Sequence, residues 1–171
     1  MHGDHTGSLS TLIYYLFFIK NIKANIYFPN DELKELLNLL GNEDEQYNYI
    51  LIDKKEKLLD NLYIKPFSVN HIKDMSSFGY EIEYNDRVII YTGDTCELPT
   101  DINNKLSKTN NITLYQDVSL YDVQAHFYYK KLIKGINKEL AHKVFAMHLD
   151  DSNTTFEKLK DYNFNVVKNI F

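Results

Sequence analysis

Five of the six histidines in this 171-residue chain fall in short segments that carry, or lie between, aspartates. They are His2-Gly3-Asp4-His5, His71, His126 and His148, with the turn Gly93-Asp94-Thr95 between the second and third. Imidazole with carboxylate and no thiolate is a donor set for Zn²⁺, Fe²⁺ or Mn²⁺. Two histidines and an aspartate within four residues cannot share one helix face, because neighbours at i+1 and i+2 diverge there. A tight loop with a glycine can bring them to one point. The other reading of His2-Gly3-Asp4-His5 is a frayed, solvated terminus. Taken singly, the rest are also ordinary: His71 as a hydrogen-bonded surface residue, Gly-Asp as a plain turn, His148 as a cap or core residue.

What would gather these groups is a set of strand ends, where loops build sites on a rigid sheet. Alternation predicts a short strand over 24–28 that ends at Pro29, after a helix over 8–21. That helix carries an apolar surface of Leu9, Leu12, Ile13, Leu16 and Phe17. A second helix over 32–40 stops at Gly41. A strand over 57–66 runs on through Phe67 and Val69 toward His71. Segments 80–84 and 87–91 flank Asn85-Asp86 and read as a β-hairpin. Asp94 follows the second arm, and Gly93 permits the sharp turn that aims it back. Strands over 111–115, 143–147 and 165–167 and helices over 128–134 and 153–162 complete the pattern. Interleaved helices and strands with one hairpin imply a mixed sheet covered by helices, α/β or α+β, in a single domain over 1–171.

Composition bounds the function. The chain is 44% hydrophobic and 14% aromatic, which fits a globular core. A net charge of −5 and a single arginine, Arg87, make nucleic acid an improbable partner. The Lys54-Lys55 and Lys130-Lys131 pairs read as solvated surface. One cysteine, Cys96, cannot form an intramolecular disulfide, so the expected compartment is the reducing cytoplasm. The apolar run over 12–19 is far shorter than the roughly 20 residues a bilayer crossing needs.

Together, the segments resemble the metallo-β-lactamase superfamily of metal-dependent hydrolases. Its signature is His-x-His-x-Asp-His, a distant histidine, a Gly-Asp-Thr turn after a strand and a late histidine after another. MHGDHTGSL matches that signature from its second histidine onward, with the first falling immediately before Met1. FSVNHIKDMSSFGYEIEYNDRVIIYTGDT resembles the next histidine, the hairpin and the aspartate turn, and KVFAMHLDD the last strand and histidine. The resemblance implies an αββα sandwich lacking its N-terminal strands, as from a truncated or split gene or a misplaced start codon. It also implies two divalent metals, zinc first and manganese or iron as alternatives. His2 and His71 would hold one, in a site one ligand short. Asp4, His5 and His148 would hold the other, and Asp94 would bridge both.

The implied reaction is hydrolysis of an ester, phosphoester or similar bond by a metal-activated hydroxide, with Asp4 orienting the nucleophile or taking its proton. His126 is placed like the histidine of the ribonuclease Z branch that helps protonate the leaving group; capping the following helix is the other reading. Asp117 reads either as a carboxylate that hydrogen-bonds a ligand histidine from behind or as a capping or turn residue, and His142 and Cys96 read as structural. A ribonuclease Z-like phosphodiesterase and a catalytically impaired remnant are the alternatives. Expected partners are a small-molecule or phosphoester substrate, no membrane, and a homo-oligomer or complementing N-terminal segment.

Overall fold

A computed structural model describes residues 2–167, which divide into two compact units with the boundary between Lys55 and Glu56. In the first unit, the segment expected to loop around Gly3 forms a single helical turn, α1 (Gly3–Thr6), closed by the Gly7 N–H on the Gly3 carbonyl. The predicted helix over 8–21 is shorter and changes character. It is α-helical as α2 (Leu9–Tyr14) and then widens into a π-helical stretch, Tyr15–Ile19. Ile13 is buried while its neighbour Leu12, about 100° away around α2, is half exposed.

Strand β1 (Ala24–Phe28), helix α3 (Glu32–Leu39) and strand β2 (Tyr47–Leu51) follow as a βαβ unit with the two strands parallel. Strand β2 was not foreseen: its Tyr-Asn-Tyr-Ile-Leu pattern becomes a strand through pairing with β1, a non-local contact. Leu33 and Leu37 of α3 pack with Ile13 and Tyr47 into this unit's core.

The second unit is a seven-stranded sheet in the order β3-β4-β5-β6-β7-β8-β9. The stretch read as one strand over 57–66 is a hairpin, β3 (Glu56–Leu59) and β4 (Leu62–Val69), turning at Asp60-Asn61 with Asn61 in the left-handed region. Asp-Asn is a weaker hairpin signal than Asn-Gly, because asparagine tolerates positive φ less readily than glycine does. The next hairpin forms as expected from β5 (Ser77–Tyr84) and β6 (Arg87–Tyr91) around Asn85-Asp86.

Beyond β6 the strands are parallel: β7 (Ile112–Asp117), β8 (Val144–Met147) and β9 (Asn165–Val166). The crossovers carry α4 (Ile102–Lys108), α5 (Tyr129–Gly135) and α6 (Ser152–Leu159). Helix α4 was missed, since its polar INNKLSK sequence shows the apolar spacing only at Ile102 and Leu106. Those two residues, Leu132 and Leu159 pack on Ile90, Leu114, Val144 and Ala146 of the sheet in one core.

This topology positions the site. Strands β4 and β6 are each antiparallel to β5, so they run alike, and β7 and β8 run parallel to β6. The carboxyl ends of β4, β6, β7 and β8 therefore share one edge of the sheet, the edge where ligands bind in open α/β sheets. His71 lies just beyond β4, Asp94 just beyond β6, Asp117 ends β7 and His148 follows β8.

Candidate metal centre

Backbone hydrogen bonds pull these strand ends together. Thr92 donates its N–H to the Tyr115 carbonyl, extending the β6–β7 ladder to the point where Gly93 turns the chain. Gly93 sits at φ +62°, and a Cβ there would lie 2.8 Å from the Phe78 carbonyl oxygen. Thr95 fastens the far side of the turn: its hydroxyl donates to the Asn70 carbonyl at 3.0 Å, and its N–H donates to Asp117 Oδ2 at 2.9 Å. The Cys96 N–H joins the same Asn70 carbonyl at 2.7 Å. The aspartate turn is thus tied both to the loop carrying His71 and to the end of β7.

Asp94 is flanked on both sides by imidazole. His71 Nε2 lies 3.7 Å from Oδ2, and His148 Nε2 lies 3.7 Å from Oδ1. His71 and Asp94 are almost wholly buried, with side-chain exposures of 1% and 10%. His148 leaves β8 with its backbone in the left-handed region, φ +54°, an uncommon state for a non-glycine residue and one that clusters at functional sites.

The opposite ring nitrogens decide the tautomers. His71 Nδ1 is 2.6 Å from the Ala125 carbonyl, which can only accept, so Nδ1 carries the proton and Nε2 a bare lone pair. His126 Nδ1 is 2.8 Å from Asp117 Oδ2, with the same consequence. His148 Nδ1 faces Asp117 Oδ1 at 3.4 Å, beyond a well-formed hydrogen bond, and that oxygen is buried with no hydrogen bond among the described residues. The three rings stand in a row, His71 to His126 at 5.2 Å and His126 to His148 at 5.0 Å between centroids.

On the His71 side an electron pair on Nε2 faces the Asp94 carboxylate, two donors that a cation between them would satisfy. Two ligands of one tetrahedral ion lie about 3.3 Å apart, given ligand distances near 2.0–2.2 Å. The 3.7 Å spacings are close to that value. Each of the three histidines has its second nitrogen held by or facing a carbonyl or carboxylate, the support usual for metal-ligating histidine. The donor set therefore fits a metal. Asp94, Asp117, His126 and His148 form a group whose ligand atoms all lie within 4.8 Å of one another.

Asp117 is fully buried and is the hub that sequence reasoning left open. Burial pushes its carboxyl above the ordinary carboxylate value, against the opposing pull of the Thr95 N–H and His126. The available signal was positional, a carboxylate ending β7 just as Asp94 follows the neighbouring β6. The Ala125 carbonyl had no signal. His142 lies in a 3₁₀ turn (Lys138–Lys143), and its carbonyl accepts from Asn165.

Beside His126 and His148 opens a pocket of about 510 Å³ that Ser119, Leu149, Asp150, Asp151 and Ser152 also line. Asp150 Oδ2 accepts from the Ser119 hydroxyl and the Leu120 N–H, which sets the wall. Asp151 caps α6 through the Thr154 N–H. The remaining expected residues belong to the first unit: His2 is the N-cap of α1, with Asp4 and His5 inside it and His5 Nε2 3.5 Å from Asp4 Oδ2.

The sheet topology and the histidine–aspartate centre define a metallo-β-lactamase fold, and solved structures agree. The chain matches the metallo-β-lactamase fold protein YhfI from Bacillus subtilis with a TM-score of 0.69 and 16% identity, over 99% of this chain and 73% of that one. The short form of human tRNase Z matches at TM-score 0.64 and 16% identity, over 100% and 74%. Igni18, a metallo hydrolase from Ignicoccus hospitalis, matches at 0.61 and 17%, over 97% and 71%. The chain belongs to the anti-Pycsar protein Apyc1 family, whose model matches residues 1–170. No curated protein sequence matches it. Among the described residues no helix is long and apolar enough to cross a membrane.

Proposed function

We propose that the chain is a cytoplasmic, metal-dependent hydrolase acting on an ester, phosphoester or related bond, with residues 1–171 forming one catalytic domain. The observation that carries this is the Asp94 carboxylate lying 3.7 Å from Nε2 of His71 on one side and 3.7 Å from Nε2 of His148 on the other. Through the motif resemblance, His2 and His71 are assigned to one metal, Asp4, His5 and His148 to a second, and Asp94 to both. Zinc is the first choice; PqqB from Methylobacterium extorquens, which shares the fold at TM-score 0.57, was solved with Zn²⁺ bound. When bound, such ions lower the pKa of water toward neutrality and screen charge developing on the substrate.

The remaining work falls to side chains. Substrate enters the pocket beside His126 and His148, where Ser152 supplies a hydroxyl. Asp4 orients the attacking water or accepts its proton. His126 serves the leaving group: Asp117 holds its Nδ1–H, so a proton reaches the leaving group from Nε2 only after that nitrogen has taken one up, and the Asp117 carboxylate stabilises the imidazolium so formed. Burial of Asp117 excludes water from that hydrogen bond and fixes the ring's direction.

A second reading is a ribonuclease Z-like phosphodiesterase, favoured specifically by the Asp117–His126 pair. The net charge of −5 disfavours a polyanionic substrate. The test is turnover of bis(p-nitrophenyl) phosphate by the purified chain supplied with Zn²⁺ or Mn²⁺. Activity that EDTA removes and His148→Ala abolishes supports the hydrolase. A folded chain that retains no metal and cleaves neither this diester nor p-nitrophenyl acetate overturns it.

A further inference from the structure

The loop that carries His126 is fastened by a carboxylate outside the metal centre. Residues 118–128 run from β7 to α5 with no helix or strand of their own, and 121–124 are exposed. One bridge closes the neck: the Ser119 N–H donates to the Phe127 carbonyl at 2.9 Å, and the Tyr129 N–H donates to the Ser119 carbonyl at 3.0 Å. Ordering the residues between costs conformational entropy, which contacts beyond the neck must offset. Two groups of this loop face the metal centre. The Ala125 carbonyl accepts from His71 Nδ1 at 2.6 Å, and His126 Nδ1 stands 2.8 Å from Asp117 Oδ2.

Asp150 holds the loop from the wall of the pocket beside His126 and His148. It lies two residues beyond His148, where the chain turns off β8 at positive φ. A single oxygen, Oδ2, accepts from the Ser119 hydroxyl at 2.9 Å and from the Leu120 N–H at 2.7 Å. The Ser119 hydroxyl in turn accepts from the Tyr121 N–H at 3.0 Å, so the carboxylate reaches three consecutive residues. Both direct bonds are charge-assisted and stronger than neutral ones. The neck consists of two bonds to one residue, about which a loop can swing. The Leu120 bond stands beyond the neck and removes that freedom. The loop's ion pair, Asp122 with Lys131, joins two side chains more than half exposed and adds little.

We infer that Asp150 is a positioning residue for the hydrolase: its carboxylate clamps residues 118–128 to the end of β8, so that Ala125 keeps the tautomer of His71 and His126 keeps its place beside the pocket. The kinetic part of this inference rests on the hydrolase reading; the structural part does not. Asp150 acts through Ser119 and Leu120, and His126 works on the leaving group as the bond breaks. The loss therefore falls on kcat, with KM little moved.

The test compares Asp150→Asn with Asp150→Leu in the full chain supplied with Zn²⁺. Asparagine keeps an oxygen that accepts from both donors; leucine keeps the bulk and no acceptor. With bis(p-nitrophenyl) phosphate, Asp150→Leu is expected to lower kcat at least about 30-fold with KM within about threefold, and Asp150→Asn to stay within about fivefold of native. A second readout needs no turnover. Proton NMR of the native chain is expected to show low-field Nδ1–H signals from His71 and His126; Asp150→Leu broadens both by exchange with water, and Asp150→Asn retains them. Should the leucine variant fail to fold, Ser119→Ala removes one of the two direct bonds and is expected to lower kcat about fivefold or more. A native chain inert toward the diester overturns the hydrolase reading, and the two ring signals then decide the clamp. Signals equally sharp in Asp150→Leu and native overturn the inference. So do equal kcat losses in the asparagine and leucine variants, or a leucine variant within about twofold of native.

Discussion

Replacing Asp117 by asparagine keeps the shape of the hub and removes one of its two acceptors. In the native chain Oδ2 accepts from Thr95 N at 2.9 Å and faces His126 Nδ1 at 2.8 Å, while Oδ1 faces His148 Nδ1 at 3.4 Å. The amide must set its NH₂ against one side. Turned toward Thr95 and His126 it meets two donors at close range; turned toward His148 it meets one at the longer distance. The second orientation wins, and His148 escapes the donor–donor contact by moving its proton to Nε2. That nitrogen faces Asp94, so the nitrogen meant to hold a cation now carries hydrogen.

Losing such outer support costs about 10–100-fold in metal affinity or activity, or about 1.4–2.8 kcal/mol. Stability moves differently. Burial already holds the Asp117 carboxyl above its ordinary value, so ionising it in the folded state is unfavourable. The folded chain therefore binds more protons than the unfolded one above the ordinary carboxylate value. Native stability falls as pH rises through the raised folded value. Asparagine has no such slope. With chelator present, Asp117→Asn should gain on the native chain as pH rises from about 4. A competitive zinc titration and urea melts at several pH values measure both effects. Zinc affinity within about twofold of native refutes the tautomer argument. A stability gap that widens against the variant with rising pH refutes the burial argument.

Metal counting by mass spectrometry is expected to show Asp94→Ala losing metal from both proposed sites and His71→Ala from one; equal, negligible losses would remove the shared-carboxylate assignment. Gly93→Ala must push a Cβ against the Phe78 carbonyl at positive φ, costing about 1–3 kcal/mol. The resulting shift of Asp94 should lower diester turnover about 100-fold, read from initial rates beside a thermal melt. Lys143 is buried, and its Nζ donates to the Leu106 and Thr109 carbonyls, 2.7 Å from each, at the end of α4. Lys143→Met should therefore cost about 1–3 kcal/mol in urea unfolding and leave metal affinity unchanged.

The chain's own order already displays the donor inventory. His71, Asp94 and His148 each follow an apolar strand-like run, and the glycine before Asp94 advertises a turn. The hairpin at Asn85-Asp86 and the stop at Gly41 were legible for the same reason: strand alternation, helix period and turn chemistry act over a few residues. What only the tertiary structure decided is which strand ends meet and what stands behind them. The rank of Asp117 depends on parallel pairing of β6, β7 and β8, set by contacts tens of residues apart. His71 owes its tautomer to the carbonyl of Ala125, a backbone group with no side-chain signature. Strand β2 exists through its pairing with β1. Local propensity names the candidates; long-range register chooses which of them face one another.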